Sequence, residues 1–96
     1  MSDTNVSQRE YLMKVHRNIV KEIKEEIADT SEQLDDARMR LHMERMRCAI
    51  NGQWMDADVE EVSQIEINAL RQQLEALNQE LAKAAAFDPR DRFQLL

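Results

Sequence analysis

Apolar residues return every seven positions from Met13 through Val20, Ile27, Leu34 and Leu41 to Cys48. A second series, Ile67, Leu70, Leu74, Leu77, Leu81 and Ala84, alternates steps of three and four. Each series keeps one stripe of a helix apolar over many turns, the pattern of a helix packed lengthwise on another. The only glycine, Gly52, lies between the two series, and the only proline, Pro89, follows them. Neither residue suits a helix interior, so their positions mark a reversal and a stop. The expected fold is all-α: one domain built as a long antiparallel helical hairpin, coiled-coil-like, with Leu74 and Leu77 opposite the Leu34 and Leu41 region.

Local signals divide the chain. Residues 1–7 read as a flexible N-terminus. Ser7 with Glu10 forms a capping box, in which the serine oxygen accepts from the third helical amide and the glutamate reaches back. The first helix is expected over 8–50, with Asn51-Gly52 opening a turn over 51–57. Asp58 with Glu61 is a further capping box and starts a return helix over 58–86, which Asp88-Pro89 ends. The tail 87–96, with an apolar end at Phe93 to Leu96, reads as a segment that docks on the bundle or as a linear binding motif. A second arrangement is open near Thr30. Thr30 and Gln33 also form a capping box, so the first helix is either continuous or broken there into a three-helix bundle. The unbroken phase from Ile27 to Leu34, with no glycine or proline between, favours continuity.

The two arms are unequal. At about 1.5 Å per residue the first helix spans roughly 65 Å and the return helix roughly 42 Å. The return arm is therefore expected to cover only the distal two-thirds of the first, leaving Leu12, Met13, Val15, Ile19 and Val20 uncovered. Met39, Met43, Met46 and Ile50 form a second apolar stripe on the same helix, and a helix apolar on two sides needs two neighbours. Methionine suits an adaptable contact because its side chain is unbranched and polarizable. Trp54 stands in the connector, where a tryptophan is more often folded back over the helix ends than exposed as an anchor. The expected partner-binding residues are Leu12, Val15, Ile19, Val20, Met39, Met43, Met46 and Trp54.

Charge narrows the choice of partner. The chain carries a formal charge of −6 and a sequence pI of about 4.9, which disfavours direct nucleic-acid binding through phosphate contacts. Arg38, Arg40, Arg45 and Arg47 do cluster around His42, and the expected role of this strip is pairing with acids of the other arm. Lys14, Arg17, Lys21 and Lys24, with Glu22, Glu25 and Glu26, fill the polar part of the first helix, and Lys21 and Glu25 are one turn apart. Asp56, Asp58, Glu60 and Glu61 gather beside the turn. In architecture and charge this tip resembles the secondary-channel factors of bacterial RNA polymerase, which present acids at a coiled-coil tip. The second globular domain of that class is missing, helix capping already accounts for these acids, and no functional residue is carried over.

Catalytic chemistry is not expected. The Glu-x-x-His pattern of a carboxylate-bridged di-iron site is absent, since Met13 and Met39 stand three residues before His16 and His42. One glycine cannot build a phosphate loop, and one cysteine excludes a disulfide framework or a multi-cysteine zinc site. No metal or cofactor is expected, nor a membrane span or signal peptide, and the cytoplasm is the expected compartment. The functional expectation is a non-enzymatic protein–protein interaction module: an adaptor, assembly factor or inhibitor of a larger protein, or a homodimer. The alternative is a regulator or inhibitor of nucleic-acid machinery, such as a host-enzyme inhibitor from a mobile element, an acidic mimic or a polymerase-channel factor.

Overall fold

The computed structural model of the chain describes residues 2–92, with side chains from 7 to 90. Two long helices, α1 (Ser2–Ile50) and α2 (Ala57–Ala86), lie against each other, and a single turn of helix, α3 (Pro89–Arg92), closes back on α1. The described residues contain no strand. The molecule is a rod of 77 × 17 × 16 Å with a radius of gyration of 21.8 Å, where a compact chain of this length would have about 13 Å. The hairpin expected from the two apolar series is the observed fold.

The seam is narrow. Ile23, Leu34, Ala37, Leu41, Ile67 and Leu77 are its buried apolar residues. Leu34, Ala37, Leu41 and Ile67 form one cluster, against which Met55, Leu70 and Leu74 pack while half exposed. Cys48 is half-buried in the same series, its Sγ 4.0 Å from Glu44 Oε1.

α1 is continuous through Thr30, so the three-helix arrangement does not form. Thr30 is itself buried in the seam, one turn from Leu34, and no buried side-chain polar atom among the described residues lacks a partner. Its hydroxyl would suit a cap, but the apolar neighbours on either side hold the phase and tertiary packing outweighs the local signal. Backbone helix also begins at Ser2 rather than after Ser7. Residues 2–7 contain no glycine or proline, and extending an existing helix costs far less than nucleating one. Ser7 therefore lies within α1 and is not its cap.

The reversal has two parts. Gly52 adopts φ +68°, its amide donates to the Ala49 carbonyl at 3.1 Å, and the Gln53 amide donates to the Cys48 carbonyl at 2.8 Å. These crossed bonds are a Schellman ending, which satisfies carbonyls that α1 leaves open. The start of α2 differs from the expected Asp58–Glu61 box. Asp56 is the N-cap, its Oδ1 accepting from the Asp58 amide at 2.8 Å and the Val59 amide at 3.4 Å. Asp58 instead falls in the first turn, where its charge faces the positive end of the helix dipole. A Cβ on residue 52 would meet nothing within 4 Å, so Gly52→Ala is expected to cost only the left-handed conformation, about 1–2 kcal/mol in urea denaturation. Gly52→Asn, which tolerates that conformation better, should recover part of the loss.

At the other end the return arm reaches further than its helix length implies. Phe87 takes an extended conformation after Ala86, and Pro89, which is buried, starts α3 against α1. His16 Nε2 lies 2.6 Å from the Ala84 carbonyl oxygen, and the His16 and Phe87 rings are 6.3 Å apart and tilted. Arg90 binds Asp88 through both its guanidinium and its amide, and these bonds hold the Asp88 carboxyl below its ordinary 3.8. The depressed value means this small turn is held at neutral pH and loses the contribution only as pH falls below that ordinary value. The tail expected to dock thus reaches α1 through α3, and its apolar end, Phe93 to Leu96, lies outside the described residues.

Candidate protein interface

The tail changes which part of proximal α1 is uncovered. Leu12, Met13 and Val20 are half-buried, whereas Val15 and Ile19 are exposed, with Tyr11 beside them. The expected uncovered patch is therefore smaller than the helix lengths suggest, because Phe87, Pro89 and α3 extend the return arm past Ala86.

The distal half is different. Met39, Met43, Met46 and Ile50 are all exposed, Met46 at 65 % and Ile50 at 77 %. With 3.6 residues per turn, their mean direction lies roughly 170° from that of Leu34, Leu41 and Cys48. The row thus points away from α2 and lies on the back of α1, opposite the seam. α2 adds Val59, Val62 and Ile65, also exposed and turned off its own seam. Spacing alone did not single these three out, because the steps of three between them run beside the Ile67–Leu81 series without forming a long stripe.

Trp54 occupies the tip and is 97 % exposed. It does not fold back over the helix ends, the commoner arrangement for a connector tryptophan. Gly52 and Asp56 hold the connector open, and Met55 rather than Trp54 turns inward to the core cluster. Beside Trp54 a groove of about 530 Å³ is lined by Arg45, Ala49, Gln53, Met55 and Glu60, among others. Eight of the twelve large exposed apolar residues among those described fall between Met39 and Ile65. The distal arm is consequently where most apolar surface remains in water.

Three of the four arginines of the strip are engaged with acids. Arg40 Nη2 donates to Glu66 Oε1 at 3.0 Å, Arg45 donates to Glu60 through both Nε and Nη2, and Arg47 Nη1 stands 3.8 Å from Glu44 Oε2. Two of these pairs join α1 to α2. They are exposed, so each contributes on the order of 0–1 kcal/mol and fixes register more than it stabilises. Lys21 and Glu25, one turn apart, form no salt bridge.

Among the described residues no group of three His, Cys, Asp or Glu is placed to hold a metal ion. No described helix is long and apolar enough to cross a membrane. What the fold and its surfaces define is a helical hairpin with an apolar distal arm. Comparisons with protein-family models, curated proteins and solved structures gave no match.

Proposed function

We propose that this chain is a non-enzymatic protein–protein interaction module of the cytoplasm, acting as an adaptor, assembly factor or inhibitor, or as a homodimer, through its uncovered apolar helix faces. The observation that carries this reading is the row Met39, Met43, Met46 and Ile50 on the side of α1 that α2 does not touch. Contiguous apolar surface of that extent is unusual on a protein that stays alone in water and marks an interface. Trp54 at the tip supplies the large aromatic side chain that commonly anchors such contacts. Val15 and Ile19 form a smaller patch at the opposite end of the same helix.

The paired change Ile19→Glu with Met43→Glu tests this. Both positions are exposed, so the hairpin should keep its helicity by circular dichroism. Any association of the parent, with itself in sedimentation equilibrium or with a partner in pull-down, should be lost. An interface forfeits apolar burial and must also desolvate the new charges. Unchanged association would show that these residues are merely exposed, and lost helicity would place them in an internal core.

A further inference from the structure

We propose that one side of the hairpin, separate from the distal apolar row, is a docking groove for an acidic amphipathic helix of another protein. Lys14, Arg17, Lys21 and Lys24 follow steps of three, four and three, which places all four on one side of α1. All four are exposed, and none takes part in a salt bridge among the described residues. Fourteen residues after Lys24, a multiple of the seven-residue repeat, Arg38 returns to the same side. Two acids share this side, Glu10 fourteen residues before Lys24 and Asp35 fourteen after Lys21, and neither lines the grooves described next. Glu22, Glu25 and Asp29 lie on the back of α1, with Glu25 one turn from Lys21.

α2 leaves this side open. Two successive grooves run along it, of about 470 Å³ and 720 Å³. Their linings include Arg17, Lys21, Lys24, Arg38 and Arg71 against a single carboxylate, Glu75. Between the cations the floor is apolar or small, with Val20 and Ala85 in one groove and Leu34, Leu74 and Ala82 in the other. Val20 and Leu74 are half-buried. An apolar floor with a cationic rim is the receptor half of helix-in-groove recognition, and a third helix laid there completes a three-helix bundle.

The floor decides between an acidic helix and a nucleic acid. A phosphate backbone gains nothing from Val20, Leu74 or the alanines, and neither groove is lined by Phe, Tyr or Trp on which a base could stack. A chain of net charge −6 also repels a long polyanion beyond the row itself. An amphipathic helix with leucine on one stripe and glutamate on its flanks satisfies both floor and rim. Lysine and arginine flanking a seam are the groups that set partner choice between helices.

The probe is a fluorescent 21-residue peptide with leucine and alanine at helical three–four spacing and glutamate on both flanks. In fluorescence anisotropy it should bind the full chain at low salt, more weakly as salt rises, and its glutamine counterpart should bind much less. Lys21→Glu with Lys24→Glu, both at exposed positions, should weaken the glutamate peptide by about tenfold or more. A peptide with lysine flanks should then prefer this variant to the parent chain, a reversal that loss of folding cannot produce. Met43→Glu should leave peptide binding unchanged, since it lies on the back of α1. The proposal is overturned by any of three results: the glutamate peptide fails to bind the parent, it binds the reversed variant equally well, or a single-stranded thymidine oligonucleotide binds the parent more tightly and loses binding in the same lysine variant.

Discussion

Ile67→Ala is expected to destabilise the hairpin by about 2–5 kcal/mol, lowering its melting temperature by roughly 10–30 °C for a domain of this size. Ile67 is 2 % exposed, the most deeply buried residue of the seam, and it packs among Leu34, Ala37 and Leu41. Truncating it removes the transfer energy of three carbons and opens a void between two helices. No further layer of structure stands behind the seam to fill that void, because the rod is only 16–17 Å thick. Val62→Ala provides the contrast: a valine that is largely exposed on the same helix should change stability by no more than about 0.5 kcal/mol. Thermal and urea denaturation of the two variants side by side checks the assignment. Equal effects would mean that the faces of α2 are wrongly oriented.

Inserting one alanine between Thr30 and Ser31 should have an effect at least as large, and a different character. One extra residue rotates everything before it by about 100° relative to everything after it. Ile23, Ile27 and Thr30 would leave the line of Leu34, Leu41 and Cys48, and the His16–Ala84 contact would be lost with them. The distal cluster around Leu41 and Ile67 keeps its register, so the chain should remain folded toward Gly52 while the proximal third of α1 separates from α2. Hydrogen exchange resolved along the sequence would show protection retained at 34–48 and lost before 30. Inserting seven alanines at the same place restores the phase, so α1 should again present one continuous seam up to the point where α2 ends. If the single insertion leaves protection unchanged at both ends, the seam through Thr30 is not what holds α1 in place.

What could be read beforehand follows the range of the interactions involved. The seam was legible because it repeats: Leu34, Leu41, Leu74 and Leu77 are members of series, and a series averages out local noise. Single-residue signals were less faithful. Thr30 carries the chemistry of a cap and the position of a core residue, and only the second matters once α2 is alongside. Asp56 and Asp58 are both good caps, and which one acts depends on where the Gly52 reversal delivers the chain. The reach of the return arm is misread from helix length for a related reason. Helix length marks the end of α2, but Phe87 and Pro89 continue to cover α1 without being helical continuations of it. On the surface, the methionine row was visible as spacing. Val59, Val62 and Ile65 were not, since two valines and an isoleucine beside a strong apolar stripe read as its edge. The exposure of Trp54 is a property of the connector's path, which no pattern of side chains encodes.

The single reversal at Gly52 also sets the order in which the hairpin can assemble. Arg45 and Glu60 are 15 residues apart, Arg40 and Glu66 are 26 apart, and His16 and Ala84 are 68 apart. Closing a loop costs entropy that grows with the logarithm of its length. A direct meeting of His16 with Ala84 in the unfolded chain is therefore the most expensive first step, and the turn with its neighbouring pairs is the least. Once the turn has formed, each further pair closes only a few extra residues, so pairing advances like a zipper from Gly52 toward Pro89. Unzipping runs the other way. The contact around His16, Phe87 and Pro89 is the last to close and the first to part, which leaves the distal arm intact while α3 moves away from α1.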